Sequence, residues 1–289
     1  MAAICLSILN GASSVQPFNH TLLALIPKVS SPTTMVDFRP ISLCNVIYKL
    51  VAKTLANRLK KTLPHVISIT ESAFVPNRNI LDNVMVGFEV MHFVKRICGE
   101  GTCAMAIKLD MAKADDRVEW CFLEEMMIRL GFHRRWVARI MDCVSTVSFS
   151  VLWKGNPLGF FIPSRGLRQG CPLSPYLFLF VVEGFSRLLQ SAMVRSLLFG
   201  VRISRFAPTI SHLFHADDSL LFLEAYQSTP LVLKDILSIY EEVSGQQINL
   251  QKSALSFSPN ISEEYQFFVS SFLEIPVAGC HEKYLGLPT

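Results

Sequence analysis

The sequence lacks most of the features that mark a specialised class. Its eight cysteines (5, 44, 98, 103, 121, 143, 171 and 280) show no CxxC and no paired histidine spacing. A structural zinc site is therefore not expected, and the thiols read as buried, free groups in a reducing compartment. No apolar run reaches the roughly 18 residues needed to cross a bilayer. The longest is Tyr176 to Val182, so no membrane partner is expected. The first basic residue is Lys28, which leaves the apolar start without the positive region of a signal peptide. There is no internal repeat, no Ser/Gly linker and no block of five like charges, so one continuous domain is expected over 1–289. Charge is sparse as well. Charged residues make up 17% of the chain and the net charge is +4, too small an excess to imply a nucleic-acid partner unless the positive residues cluster. Apolar residues are plentiful, at 51% of 289, enough for a sizeable core.

The pattern along the chain mixes helices and strands. From Ser42 to Leu63, apolar residues at Leu43, Val46, Ile47, Leu50, Val51, Leu55, Leu59 and Leu63 follow helical spacing, and the first half reads as helical. Lys49, Lys53, Lys60 and Lys61 lie away from that stripe, either as a solvated face or as a row facing phosphates. Ala104 to Leu109 reads as a buried strand, followed by helices through Leu123 to Leu130 and His133 to Val144. Val147 to Trp153 and Leu158 to Ile162 read as a hairpin around Lys154-Gly155-Asn156-Pro157. Ser164 to Pro175, rich in Gly and Pro, is a loop leading into an apolar helix over Tyr176 to Ala192. A second hairpin joins Ile210–Phe214 to Leu220–Leu223 through residues 215–219. Thr229-Pro230 opens a helix that Gly245 stops, and strand 254–257 precedes helix 263–272. The arrangement is α+β and argues against a doubly wound parallel sheet.

Two acidic sites follow apolar runs: Asp110, and the pair Asp217-Asp218 at a hairpin tip. Carboxylates at the ends of buried strands resist ionisation unless a cation offsets them. If the strands are neighbours, three carboxylates meet, and hard oxygen ligands of that kind suit Mg²⁺. Two such ions would stabilise an in-line phosphoryl displacement. The alternative is a pair of unrelated turns with solvated aspartates.

Seven stretches, in order, resemble the reverse transcriptase domain of plant LINE-type non-LTR retrotransposons. They are ALIPKVSSPTTMVDFRPISLCNVIYKLVAKTLANRL (24–59), ESAFVPNRNILDN (71–83), KLDMAKADDRVEWCFL (108–123), SRGLRQGCPLSPYLF (164–178), SHLFHADDSLLF (211–222), SGQQINLQKS (244–253) and KYLGLP (283–288). The resemblance implies a right-hand polymerase with helical fingers at about 20–100 and a palm at about 101–289, its antiparallel sheet backed by helices. It also implies a fingers insertion near 145–170 and a missing thumb. The implied activity is RNA-directed DNA polymerisation on an RNA or DNA template with a DNA primer and dNTP, aided by two Mg²⁺ ions. By the same resemblance Asp110, Asp217 and Asp218 hold metal, with the Met111 carbonyl completing the nucleotide-bound site. Lys28 and Arg39 act as triphosphate ligands, and Gly166, Gln169 and Gly170 pack near the incoming nucleotide. The resemblance also implies that Lys252 donates a proton to pyrophosphate and that Arg78 meets template phosphate, while the helical stripe makes Lys49 and Lys53 candidates for nucleic-acid contact. Nuclear localisation is implied by family alone.

The chain departs from that pattern at four positions. Asp115 replaces an aromatic residue that in similar domains lies under the nucleotide sugar, Cys171 replaces Asp, His215 replaces an aromatic residue, and Asn77 stands where Gly is usual. By strand alternation His215 is expected on the side of Asp217, where an imidazolium would compete with metal. Asn77 is expected to tolerate a left-handed backbone. No endonuclease, thumb or cysteine-rich region is recognised. These departures support an alternative, a degenerate and catalytically silent domain with weak nucleic-acid binding.

Overall fold

The computed structural model describes residues 1–97, 103–278, 283–284 and 287–288. Cys98, Cys280 and part of the 283–288 stretch lie outside the described residues. In chain order the elements begin with α1 (Ala2–Asn10), β1 (His20–Pro27), β2 (Phe38–Cys44), α2 (Val46–Leu59), α3 (Leu63–Val66), α4 (Ile80–Arg96) and β3 (Ala104–Asp110). Next come α5 (Ala114–Arg117), α6 (Trp120–Arg129), α7 (Arg134–Ser145), β4 (Ser148–Trp153), β5 (Asn156–Phe161) and α8 (Ser174–Val194). The rest are β6 (His212–His215), β7 (Asp218–Glu224), α9 (Thr229–Ser244), β8 (Ala254–Phe257), α10 (Glu263–Leu273), β9 (Lys283–Tyr284) and β10 (Leu287–Pro288). The chain divides into two compact units, Met1–Val66 with Asp115–Val181, and Ile67–Ala114 with Val182–Thr289.

The first unit holds a sheet in the order β2-β1-β4-β5, antiparallel except for the parallel β1–β4 pair. Helical periodicity alone does not reveal β1 and β2. The first half is therefore less helical than its spacing suggests, and Ser42 to Cys44 belong to β2 rather than to the following helix. Pro40 is accommodated because β2 is an edge strand. At α2, the Asn45 side chain caps the Ile47 N–H, and Tyr48, Val51, Ala52, Leu55, Ala56 and Leu59 turn inward. Lys154 and Gly155 both have left-handed φ (49° and 83°), the two-residue turn that fits strand twist, so β5 starts at Asn156. Every residue of β5 is exposed.

The second unit is built on an antiparallel sheet in the order β6-β7-β3-β8. Both faces are covered. Val90, Met91 and Val94 of α4 pack with Ala104, Ala106, Leu213, Leu220 and Phe222. Phe214, next to Leu213 and so on the opposite face, stacks on Phe185 of α8 (5.4 Å), which stacks in turn on Tyr240 of α9 (4.8 Å). Double coverage explains why Ala104–Ile107 of β3 and Leu220–Leu223 of β7 are continuous apolar stretches instead of alternating. Gly245 ends α9 at φ 75°.

One expectation needs correction. With 21 residues and a mean hydropathy of 1.5, α8 is long and apolar enough to cross a membrane. The apolar run is split in sequence by Glu183 and Arg187, which hid its full length. These two pair at 2.6 Å, Glu183 accepts hydrogen bonds from Ser68 N and Oγ, and 67% of the apolar window is buried within the protein. The six described cysteines are all free; Cys44, Cys143 and Cys171 are buried, whereas Cys121 is exposed and Cys5 and Cys103 are half-buried.

Candidate active site

Strand pairing brings the acidic residues together in the second unit. The β3–β7 register sets Asp110 directly opposite Asp218, and β6–β7 sets His215 opposite Asp218. Only Ala216 and Asp217 remain for the hairpin loop, a tighter tip than the apolar runs suggest. Ala216 has φ 55°, a conformation costly for a residue with a Cβ, and strain of this kind concentrates at functional sites. Burial pushes the half-buried Asp218 carboxyl above its ordinary value, and Asp217 and Asp110 add to the shift while Lys108 opposes it. That is the electrostatic signature of a carboxylate group that a cation would relieve. Among the described residues, however, no three His, Cys, Asp or Glu side chains are gathered at metal-holding distances. The strand ends converge without forming a ready side-chain cage. Their all-oxygen chemistry still fits Mg²⁺.

The end of β3 is held by the segment after α9. Asn249 N donates to Asp110 O (2.8 Å), Ala112 N donates to Gln247 O (2.8 Å), and Ser253 Oγ accepts from Asp110 N (3.2 Å). These bonds fix the main chain at Met111, which bridges to Ile248. Lys252 is exposed in the turn that follows.

His215 behaves otherwise than expected. Asp217 lies in the turn rather than on a strand, so alternation does not relate the two residues. Desolvation lowers the His215 pKa, outweighing the raising effect of Asp218 and Asp217, and so opposes the imidazolium invoked as a competitor for metal. Its Nδ1 lies 2.9 Å from Ser72 Oγ.

The hairpin is braced by residues that sequence reasoning did not single out. Glu71 Oε1 accepts from Ala73 N (2.6 Å) and Ala216 N (3.4 Å), while Glu71 Oε2 is buried without a partner. Burial raises the Glu71 carboxyl to about 7. Asn83 Nδ2 donates to Ser72 Oγ and Phe214 O, both at 2.8 Å. Glu71 and Asn83 stood inside the quoted 71–83 stretch, but their role depends on contacts more than 130 residues away, which spacing cannot register. Arg78 is also placed differently from the expectation. Its guanidinium donates to Ser68 O, Glu71 O (both 2.5 Å) and Ile67 O (2.8 Å), so it clamps residues 67–71 instead of standing ready for template phosphate. Asn77 has φ 64°, the left-handed backbone its identity suggested.

The first unit carries the other candidates. Ile26 pairs with Arg39 and Lys28 N donates to Asp37 O, which puts Lys28 and Arg39 near the same end of the β1–β2 ribbon. Lys28 Nζ donates to Val36 O (3.0 Å). Lys49 and Lys53 are exposed one turn apart on α2, while Lys60 sits 5.3 Å from the Tyr176 ring centroid. The 164–175 loop packs on α5. Leu167 N donates to Asp115 O (2.7 Å), Gly166 N donates to Val118 O (2.8 Å), and Ser42 N donates to Gln169 O (2.8 Å). Gly166 has φ +95°, and a Cβ there would meet Asp116 O at 2.8 Å. A cavity of about 230 Å³ lies beside this loop, lined in part by Ser42, Tyr48, Gln169 and Cys171. Gln169 Oε1 is buried there with no partner. Arg168, another residue not foreseen, is buried over the Tyr48 ring at 3.9 Å and donates to Asn19 Oδ1, Thr21 Oγ1 and Cys143 O. The hydroxyl of the same ring, Tyr48 Oη, lies 3.2 Å from Cys171 Sγ.

Residues 26–287 match the family Reverse transcriptase (RNA-dependent DNA polymerase). The chain is 29% identical over 274 residues to the transposon TX1 uncharacterized 149 kDa protein of Xenopus laevis, covering 93% of this chain and 20% of that protein. It is 28% identical over 272 residues to the retrovirus-related Pol polyprotein from type-2 retrotransposable element R2DM of Drosophila melanogaster, covering 91% of this chain and 24% of that one. The chain thus spans about a fifth to a quarter of the length of these relatives. In fold it is similar to apo telomerase from Candida tropicalis truncated from its C-terminal domain, with a TM-score of 0.60, 14% identity and coverage of 86% of this chain and 52% of that one. Telomerase from the same organism, in complex with a fragment of telomeric RNA, gives a TM-score of 0.61 at 12% identity, over 94% of this chain and 43% of that one. With carboxylates at a strained hairpin and a matching fold, the chain belongs to the reverse transcriptase family, and within it resembles the domain of non-LTR retrotransposons.

Proposed function

We propose that this domain extends a DNA primer on an RNA or DNA template, in the manner of a plant LINE-type element. The observation that carries the reading is the register that sets Asp110 opposite Asp218, with Asp217 in the adjoining two-residue turn. In this reading the primer 3′-hydroxyl attacks the α-phosphorus of a dNTP and pyrophosphate departs. Asp110, Asp217, Asp218 and the Met111 carbonyl hold two Mg²⁺ ions, which when bound supply charge stabilisation at the phosphate oxygens. Lys28 and Arg39 bind triphosphate oxygens, with the Arg fork suited to two at once. Gln169 and Gly170 contact the nucleotide, Lys252 returns a proton to pyrophosphate, and Lys49 and Lys53 meet nucleic-acid phosphates. A plant source is in keeping with 51% identity over 65 residues to an uncharacterized mitochondrial protein of Arabidopsis thaliana.

A second reading, a silent domain, is favoured by Asp115, whose carboxylate stands where similar domains have an aromatic ring. Primer extension on an RNA template with Mg²⁺ at low salt separates the two. The proposal expects extension by the natural chain and none by Asp217→Ala, with both folded by circular dichroism. Extension that survives Asp217→Ala overturns the metal assignment. Absence of extension by the folded natural chain and by Asp115→Tyr leaves the silent reading standing.

A further inference from the structure

The opposite end of β7 carries a second feature, which the carboxylate site does not use. Leu223 bridges to Gly200, and Val201 and Ile210 exchange two main-chain hydrogen bonds (2.8 and 2.9 Å) that close the base of the loop between them. A Cβ on Gly200 would meet Ile210 O at 2.8 Å, so glycine is what lets the loop fold back. Within the loop, Arg202 Nε and Nη2 donate to Thr209 Oγ1 (3.2 and 3.0 Å), and Ala207 N donates to Ser204 O (3.1 Å). The loop is built and closed by its own contacts. Beside it lies a cleft of about 590 Å³ lined by Phe199, Arg202, Arg205 and Glu224 among others.

The chemistry of this surface is consistent. Residues 195–209 contain Arg195, Arg202 and Arg205 and no Asp or Glu. All three arginines are exposed, and among the described residues none is in a salt bridge. The one carboxylate lining the cleft, Glu224, accepts a hydrogen bond from Tyr226 Oη (2.7 Å). Aromatic rings surround the positive charge. Phe206 is 93% exposed beside Arg205, and Phe199 and Tyr226, both exposed, meet edge to face at 5.4 Å. Guanidinium forks match phosphates, and exposed rings offer faces on which unpaired bases stack. Glu224 is six residues along β7 from Asp218, which at roughly 3.3 Å per residue sets the cleft about 20 Å from the carboxylates.

We propose that the Arg202–Thr209 loop and its cleft form a binding surface for single-stranded nucleic acid, separate from the carboxylate hairpin. Binding at this surface needs neither Mg²⁺ nor catalysis, so loss of polymerase activity and loss of this surface are distinct outcomes. The test is fluorescence anisotropy of a labelled oligouridine of about 20 nucleotides with the full chain, without Mg²⁺, over a salt series. Replacing Arg195, Arg202 and Arg205 together with Gln is expected to flatten the plot of log affinity against log salt by about 2, at roughly 0.7 per lost phosphate contact. Phe206→Ala is expected to weaken binding about tenfold, the scale of one lost base stack. Arg134, Arg135 and Lys154, also exposed, replaced together with Gln serve as the matched control and should leave the slope unchanged. A 4-thiouridine probe should crosslink within residues 195–209. The proposal is overturned if the control set lowers the slope as much as the arginine set, if crosslinks fall only elsewhere, or if Phe206→Ala binds normally. It is also overturned if anionic phosphatidylserine vesicles compete the oligonucleotide from the natural chain and bind it more tightly, which would assign the loop to a lipid surface. Melting curves of each variant establish that it is folded.

Discussion

Glu71 braces the acidic hairpin from within the core, and replacing it with Gln isolates its electrostatic effect. The residue is 2% exposed, and its carboxyl titrates at about 7 against an ordinary 4.5. Burial disfavours the ionised form, so the folded protein holds a proton that the unfolded chain releases. Stability from this group is therefore fully present below pH 4.5 and is lost as pH rises to about 7. A gap of about 2.5 units at 1.36 kcal/mol each is worth about 3 kcal/mol in total, of which about 2.5 kcal/mol falls between pH 5 and pH 8. His212 works in the opposite direction. Its imidazole is lowered to about 4 by burial, so its contribution is lost as pH falls from 6.5 toward 4. Comparing Glu71→Gln with the natural chain cancels the His212 part, because both proteins retain it. Gln keeps the amide acceptor toward Ala73 N and Ala216 N and cannot ionise. Urea unfolding at half-unit pH steps should show the variant gaining about 2.5 kcal/mol on the natural chain between pH 5 and pH 8. A stability difference that stays constant with pH would refute the claim that Glu71 is buried with a raised pKa.

Three further outcomes follow from local geometry. Ala216→Gly should be neutral or stabilising by up to about 1 kcal/mol in urea unfolding, whereas Ala216→Val should cost about 1–3 kcal/mol, because φ 55° penalises a branched side chain most. Gly166→Ala should cost roughly 2 kcal/mol or more, since it adds a clash with Asp116 O to an unfavourable φ; Gly155→Ala, where a Cβ would meet nothing within 4 Å, should cost about 1 kcal/mol, and equal losses would discount the clash. Cys171→Asp would give Tyr48 Oη a charged acceptor beside the buried Arg168, and should raise the melting temperature by a few degrees in calorimetry; a lower melting temperature would show that burying the carboxylate costs more than the pairing returns.

The elements most legible in the sequence are those whose signals are local. Thr229-Pro230 and Gly245 bracket α9, and the 254–257 strand and the helix after it were readable from short apolar patterns and caps. The paired acidic positions were legible because each follows an apolar run; those runs become β3 and β6, and β7, which begins at Asp218, lies between them and pairs with both. β1 and β2 were not legible, because most of their residues are half-exposed or exposed and become strands by pairing with each other and with a strand more than 120 residues away. Arg78 looked like a surface cation because sequence does not show that loop carbonyls will surround it. His215 escapes the sequence for a related reason: strand alternation stops at the turn holding Asp217, and the burial that lowers the imidazole pKa comes from tertiary packing.

The exposed strand β5 bears on how this chain behaves in concentrated solution. It pairs on one side with β4, which leaves its other row of amide and carbonyl groups facing outward at the edge of the sheet. Leu158, Phe160 and Phe161 along it are 44–67% exposed, and such an edge is a template for pairing with a second chain. Pro157 removes one donor from that row and Gly159 weakens the strand, but no charge interrupts residues 156–161. Self-association through this edge should therefore set the upper limit on working concentration, and Phe160→Lys is the substitution that should raise it.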